Sequence, residues 1–265
     1  MKERSPEEFL SAFRARPAAS MLFLDFDGTL SEIAPVPEGA RLHPVAGREL
    51  ARLASLYPVC MVSGRPAEEL AGLVEVEGIS CFIGLHGLER MEGGSREVLE
   101  GAEPFLEVMS TARRELEAEM QKGGLGERDG VYLEDKGLIL ALHFRRDPSC
   151  AGAAEEAARR VAGRQRLALH RGRMVVELRP PVSFGKGRAV EGQLRLHGGE
   201  RALYMGDDLT DVDAFRALRR LEGDIEGFSS LCVAVASPES PGELLVECDL
   251  AVTGVDGAVD LLTRL

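Results

Sequence analysis

Short apolar runs that break off into polar residues recur along this chain. Met21 to Leu24 is the first, followed by Pro58 to Val62, Cys81 to Ile83, Ala202 to Met205, Leu231 to Val235 and Leu250 to Val252. Runs this short, apolar throughout rather than alternating, predict strands buried on both faces of a parallel sheet. Helical stretches lie between them. Ser5-Pro6-Glu7-Glu8 has the Ser, Pro and early acids of a helix start, and that helix should run to about Arg16. Pro44 to Leu56 sets Leu50, Leu53, Ala54 and Leu56 on one side, and Ala67 to Leu73, Lys186 to Leu196, Val212 to Leu221 and Gly257 to Leu265 also read as helices. Pro35 and Pro37 make Ile33 to Leu42 a loop. The alternation predicts an α/β fold with a doubly wound, Rossmann-type parallel sheet.

The rhythm changes after Gly101. Pro104 to Gln121 predicts an amphipathic helix, ended at Gly123-Gly124. A hairpin follows, Val131 to Glu134 and Leu138 to Arg145 around Lys136-Gly137, then an Ala-rich helix from Ser149 to Arg164. A second hairpin pairs Leu167 to His170 with Met174 to Leu178 around Arg171-Gly172-Arg173. The order αββαββ suits a small antiparallel sheet with two helices on one face, an α+β domain inserted into the larger one. The expected domains are residues 1–103 with 181–265 and, between them, 104–180, with Arg179-Pro180-Pro181 as the hinge.

Composition narrows the function classes. At 265 residues and 45% hydrophobic content the chain can build a real core, and its net charge of -12 argues against nucleic acid or an anionic membrane as partner. The cysteines, Cys60, Cys81, Cys150, Cys232 and Cys248, are odd in number and form no C-x-x-C pair, so neither a disulfide framework nor a thiolate zinc site is indicated. No apolar run approaches the ~18 residues of a membrane span. Met1 to Ser20 lacks a signal-peptide core, so a cytoplasmic monomer is expected.

The chemistry collects where the strands end. Asp25-Phe26-Asp27-Gly28-Thr29-Leu30 follows the first run, and carboxylates at i and i+2 share a face of an extended chain. Two such anions at the end of a buried strand need a metal or a proton between them, so Asp25 and Asp27 read as half of a Mg²⁺ site. Ser63-Gly64-Arg65-Pro66 ends the second run, Gly84-Leu85-His86-Gly87 the third, and Gly206-Asp207-Asp208-Leu209-Thr210-Asp211 the fourth. Each has an ordinary alternative: Ser63 as a helix N-cap, Asp211 as another, His86 as filler of a tight turn, and Lys186 as a solvated side chain. Lys186 is not a Walker lysine, because Pro180 stands where that motif needs Gly. Taken together they supply a nucleophile candidate, an acid/base candidate, a hydroxyl, a lysine and an acidic metal cluster. A glycosidase built on two carboxylates needs neither the lysine nor the further acids.

In order, the D-x-D-G-T-L stretch, Ser63, Lys186 and Gly206-Asp207-Asp208 resemble the four motifs of the haloacid-dehalogenase-like phosphohydrolases, with the insertion placed as in members carrying a C2-type cap. Ser63-Gly64-Arg65, Leu85-His86-Gly87 with Glu89, Glu134-Asp135-Lys136-Gly137 and Val176-Glu177-Leu178-Arg179-Pro180 are similar to the trehalose-6-phosphate phosphatase family. That family usually reads T-D-E-D-A-F where this chain has Thr210-Asp211-Val212-Asp213-Ala214-Phe215.

The resemblance implies a phosphatase of trehalose biosynthesis. Asp25 would be the nucleophile that forms an aspartyl-phosphate, and Asp27 the general acid and base. Ser63 and Lys186 would hold the phosphoryl oxygens. Mg²⁺ would sit on Asp25, the Asp27 carbonyl and Asp207, with Asp208 and Asp211 orienting that shell. Substrate contacts would come from Gly64, Arg65, His86 and Gly87. The insertion would act as a lid and add Glu134, Lys136, Arg145, Arg173 and Glu177, which could equally be the wet face of an antiparallel sheet. Another sugar phosphate, of the sucrose, mannosylglycerate or glucosylglycerol type, is the alternative substrate, and a non-catalytic sugar-phosphate sensor the alternative role.

Overall fold

Ser5 opens the first helix as its sequence predicts. Its hydroxyl accepts the Glu8 N–H, and the Glu8 carboxylate accepts the Ser5 N–H at 3.0 Å, so two donors with no partner inside the helix are satisfied. The structure, a computed structural model, describes residues 5–34, 37–126, 130–172 and 174–265. It divides into two compact units, Met1–Glu97 with Phe184–Leu265, and Val98–Ser183.

The first unit begins with α1 (Pro6–Ala15), β1 (Ser20–Leu24), α2 (Pro44–Ala54), β2 (Val59–Val62), α3 (Ala67–Val74) and β3 (Cys81–Gly84). Two further strands, β4 (Glu89–Glu92) and β5 (Ser95–Val98), are not expected from the apolar runs. They are mostly polar and half-exposed, which hides them from a search for apolar runs and keeps the edge of the sheet soluble. Their signal is the turn: Gly93-Gly94, both at positive φ, is a two-residue hairpin connection.

In the second unit come α4 (Phe105–Lys122), β6 (Tyr132–Asp135), β7 (Leu140–His143), α5 (Ala151–Gln165), β8 (Ala168–Gly172) and β9 (Val175–Arg179). The strands form an antiparallel sheet in the order β6-β7-β9-β8. Leu140, Leu142, Val176 and Leu178 share one apolar cluster with Met109, Leu116 and Ala158, so both helices lie on the same face. The sequence predicts a strand that reaches Arg145. Arg145 lies beyond β7 instead, because pairing stops at Phe144 and the Asp147 N–H bonds back to the Phe144 carbonyl in a turn. Lys136 likewise lies one residue past β6, in the turn that Gly137 closes. Arg173 falls outside the described residues.

The chain then returns through α6 (Lys186–His197), β10 (Arg201–Gly206), α7 (Leu209–Asp224), β11 (Ser229–Ala236), α8 (Gly242–Glu247), β12 (Leu250–Thr253) and α9 (Gly254–Thr263). Among the described residues the large sheet runs β12-β11-β10-β1-β2-β3-β4-β5, parallel from β12 to β3, with β4 antiparallel to β3. Alternate residues of each strand enter opposite clusters. Leu22, Leu24, Leu203 and Met205 pack with α1, α2 and α9, while Met21, Phe23, Ala202 and Tyr204 pack with α6 and α7. That is why β1 is apolar at every position. Successive crossovers move outward from β1 to β3 and then restart on its other flank at β10. The strand order therefore reverses between β1 and β10, the place where doubly wound sheets leave a crevice for ligands.

No helix among the described residues is long and apolar enough to cross a membrane. Cys60, Cys81, Cys232 and Cys248 are free thiols.

Candidate active site

The C-terminal ends of β1 and β10 bring three carboxylates together. Oxygens of Asp25, Asp207 and Asp211 all lie within 4.8 Å of one another. Asp25 follows β1 directly, and its N–H donates to the Met205 carbonyl at 2.9 Å, which ties it to β10. Two glycines make the crowding possible. Gly28 turns the chain at φ 78°, and a Cβ on it would stand 2.0 Å from an Asp207 oxygen. A Cβ on Gly206 would stand 2.2 Å from the Asp211 carboxyl carbon.

Lys186, the first residue of α6, reaches into this cluster. Its Nζ donates to Asp25 Oδ1 and to Asp211 Oδ1, each at 2.7 Å, and the side chain is 3% exposed. Burial alone pulls the ammonium pKa down, but Asp211 and Asp25 outweigh it and the net shift is upward. This burial sets aside the alternative of Lys186 as a solvated residue.

Asp211 is fully occupied. Besides Lys186 it accepts the Tyr204 hydroxyl at 2.6 Å and, through its other oxygen, the N–H groups of Asp207 and Asp208 at 3.1 and 3.0 Å. Four donors saturate a carboxylate. Asp211 stands at the third position of α7, three after the N-cap Asp208, so it ties the start of the helix to the acidic cluster. Asp208 itself is exposed and outside the trio.

Burial, then Asp25 and Asp211, push the Asp207 pKa up to about 9, and Lys186 opposes them only in part. Burial pushes Asp25 up to about 7 in spite of Lys186, with Asp211 and Asp27 adding to the rise. Three carboxylates share one ammonium, which leaves a deficit of positive charge that a divalent cation would fill with hard oxygen ligands. The donor set fits such an ion, held by Asp25 and Asp207, with Asp211 already committed to holding the frame.

Asp27, two residues on, is not in that cluster. Arg65 takes it in a fork, Nε to Oδ2 at 2.7 Å and Nη2 to Oδ1 at 2.8 Å. Ser63, after β2, is buried; its Oγ accepts the Arg65 N–H at 3.1 Å, and its carbonyl accepts the His86 N–H at 2.9 Å. Leu85, His86 and Gly87 have φ of 49°, 56° and 100°, an uncommon run of left-handed backbone of the kind that clusters at functional sites. It lays the His86 ring over Gly64, 2.7 Å from where a Cβ there would stand. Gly87 packs against the Gly185 carbonyl, just before Lys186.

Glu89 secures this loop. Its buried carboxylate accepts the Ala67 N–H at 2.5 Å, at the start of α3, and pairs with Arg96. Glu89→Ala would strand a buried N–H and should cost about 2–3 kcal/mol, read as a shift in urea midpoint with unchanged slope.

In the other unit, β6, β7, β9 and β8 align Glu134, Ala141, Glu177 and His170 in one row on the face opposite the helices. Glu134 accepts from His143 Nε2 at 2.8 Å and sits 3.4 Å from Lys136 Nζ; Tyr132 stacks on the His143 ring. Burial raises the Glu134 pKa, yet His143 and Lys136 outweigh it and keep it below the usual carboxylate range. Glu177 is 8% exposed and accepts from Arg179 Nε at 2.8 Å. Along the row Ala141 and Glu177 are buried, Glu134 is half-buried and His170 is exposed. Arg145 is exposed and apart from this row.

Several contributors carry no signal in the sequence. Tyr204 looks like core and is core, except for its hydroxyl. Asp213 accepts the Gly187 N–H at 2.9 Å and so pins the start of α6 behind Lys186. Val212, in place of the Glu of the family pattern noted above, is 1% exposed and packs in the apolar cluster with Phe23, Val190 and Phe215.

Known proteins resemble this chain in sequence and in fold. The trehalose-phosphatase family profile matches residues 23–244. The chain belongs to the trehalose-phosphatase family. It is 38% identical over 215 residues to a trehalose-phosphate phosphatase of Mycobacterium avium, covering 78% of this chain and 52% of that protein. It thus spans about half the length of the curated relatives it matches. The fold matches that of the C-terminal domain of the Candida albicans trehalose-6-phosphate phosphatase, with TM-score 0.74, 21% identity and coverage of 99% and 98% of the two chains. A haloacid dehalogenase-like hydrolase from Bacteroides thetaiotaomicron shares it at TM-score 0.61 and 15% identity, with coverage of 92% and 98%. The haloacid-dehalogenase-like fold expected from the four motifs is the one observed.

Proposed function

We propose that this chain releases phosphate from trehalose 6-phosphate, with Mg²⁺ as the metal and Asp25 as the nucleophile. The observation that carries the reading is the Asp25 carboxylate, 4% exposed, clamped by Lys186 and crowded by Asp207 and Asp211 at the switch point of the sheet. Mg²⁺ would be held by Asp25, the Asp27 carbonyl and Asp207, with Asp208 and Asp211 orienting that shell, and it would offset charge on the phosphoryl oxygens.

Asp25 attacks phosphorus in line and becomes an aspartyl-phosphate. As the ester bond breaks, Asp27 gives its proton to the sugar oxygen; it then takes one from the water that opens the intermediate. Lys186 and the Ser63 hydroxyl hold the phosphoryl oxygens, which is how a protein of net charge -12 accepts a dianion. His86, Gly64 and Gly87 border the phosphate position. Sugar recognition is assigned to the αββαββ unit, through Glu134, Lys136 and Glu177 first, with Arg145 and Arg173 as the weaker candidates. The burial of Val212 supports keeping trehalose as the sugar, since the departure from the usual Glu falls in the core.

The test is phosphate release from a panel of sugar phosphates, with Mg²⁺ and with chelator. Preference for trehalose 6-phosphate, lost on chelation, is expected. Turnover of a different disaccharide or polyol phosphate would replace the substrate. Tight binding of one panel member without turnover would make the protein a sensor.

A further inference from the structure

The two carboxylates of the D-x-D motif are held by different cations, and the second, Arg65, expected from the sequence as a substrate contact, enters no step of the reaction above. Arg65 is fixed at every point. Its N–H donates to Ser63 Oγ at 3.1 Å, and its carbonyl accepts the Leu85 N–H at 2.9 Å, so its backbone is bolted to the loops after both β2 and β3. Its guanidinium carbon lies 5.8 Å from the Phe26 ring centroid. Nε and Nη2 grip the two Asp27 oxygens, and Nη1 pairs with Glu69, one turn along α3. The Arg65 side chain is 11% exposed against 36% for Asp27. The buried partner is therefore the rigid one, and the half-exposed Asp27, which follows a single buried residue and precedes a glycine turn, takes its orientation from it. A parallel two-bond fork fixes the plane of a carboxylate as well as its position, which a single point charge cannot do. Glu69 gives the guanidinium a second anion, so Arg65 keeps its place when Asp27 engages another partner.

We propose that Arg65 is a positioning residue for the leaving-group step, orienting the Asp27 carboxyl toward the departing sugar oxygen, with Glu69 as its anchor. This rests on the phosphatase reading above. In that step the Asp25–phosphorus bond forms, the ester P–O bond breaks with its electron pair on the sugar oxygen, and that oxygen takes the proton of Asp27. A leaving group that departs as a stable anion does not need the proton, and this separates positioning of Asp27 from direct contact with the phosphate.

The experiment compares trehalose 6-phosphate with p-nitrophenyl phosphate in the native protein, Arg65→Gln, Arg65→Lys, Asp27→Asn and the double variant Asp27→Asn/Arg65→Gln. General acid catalysis is worth about 10²–10⁴-fold. The kcat ratio of sugar to nitrophenyl ester should fall by about 10²-fold in Arg65→Gln and nearly as far in Arg65→Lys, which keeps the charge but loses the fork. Adding Arg65→Gln to Asp27→Asn should leave the ratio where Asp27→Asn alone puts it. Equal loss on both esters, or a change in KM alone, would overturn the proposal and make Arg65 a phosphate or substrate contact. A ratio that falls further in the double variant than in Asp27→Asn would also overturn it. If the native protein cleaves a different sugar phosphate, the same ratio is measured on that ester. If it cleaves no alkyl phosphate at all, the phosphatase reading fails first and the positioning role falls with it.

Discussion

Asp25→Asn should abolish phosphate release, lowering kcat by about 10⁴-fold or more, as removal of a nucleophile that acts within a unit does. The substitution is close to isosteric, so the fold should survive it. A neutral amide in place of Asp25 relieves repulsion with Asp207 and Asp211, and Lys186 keeps its bond to Asp211 at 2.7 Å. Thermal unfolding in chelator should therefore shift little. What should vanish with activity is stabilisation by Mg²⁺, because one of the two carboxylates free to ligate is gone. Residual turnover within tenfold of native would move the nucleophile elsewhere. Full retention of Mg²⁺ stabilisation would remove Asp25 from the metal shell.

Lys186→Met should damage stability and chemistry together. Methionine fills similar volume but leaves the buried carboxylates of Asp25 and Asp211 without their cation, and breaking a buried pair from one side costs about 3–5 kcal/mol. The lysine pKa is raised by these partners, so its contribution is fully present below the ordinary lysine value of about 10.4 and is lost only as pH rises through the raised folded-state value. Neutral pH cannot switch it off, so substitution is the clean test. Urea midpoints in chelator should fall by the stated amount. Mg²⁺ should restore part of the loss, since a divalent cation addresses the same charge deficit. Activity under saturating Mg²⁺ should still be down by about 10²–10³-fold, the usual effect of removing one electrostatic partner of a developing anion. Unchanged stability in chelator would mean that the carboxylates take up protons at little cost once the lysine is absent.

Much of the fold is legible in the order of the amino acids. The apolar strands at Met21, Val59, Cys81, Ala202 and Leu231 declare themselves because a strand buried on both faces leaves no polar position to confuse the pattern. The Ser5 cap and the αββαββ order are equally local. The β4–β5 hairpin escapes the apolar pattern because an edge strand is polar by necessity, and only its Gly93-Gly94 turn gives it away. Arg145 reads as strand because its apolar neighbours continue past the point where pairing stops.

Sequence alone determined the fold class, the family and the set of residues that could do chemistry, because apolar periodicity and motif spacing act over a few residues. It could not say which charge answers which. Lys186 is 161 residues from Asp25, and Arg65 is 38 from Asp27; the two acids are adjacent in type and differ in no local feature. Only the sheet order, which sets β10 beside β1 on one flank and β2 on the other, decides that Asp25 meets the lysine and two more acids while Asp27 meets the arginine. Charges interact through space, at distances that chain separation does not encode. The division of labour between two aspartates a single residue apart is therefore a property of the tertiary structure.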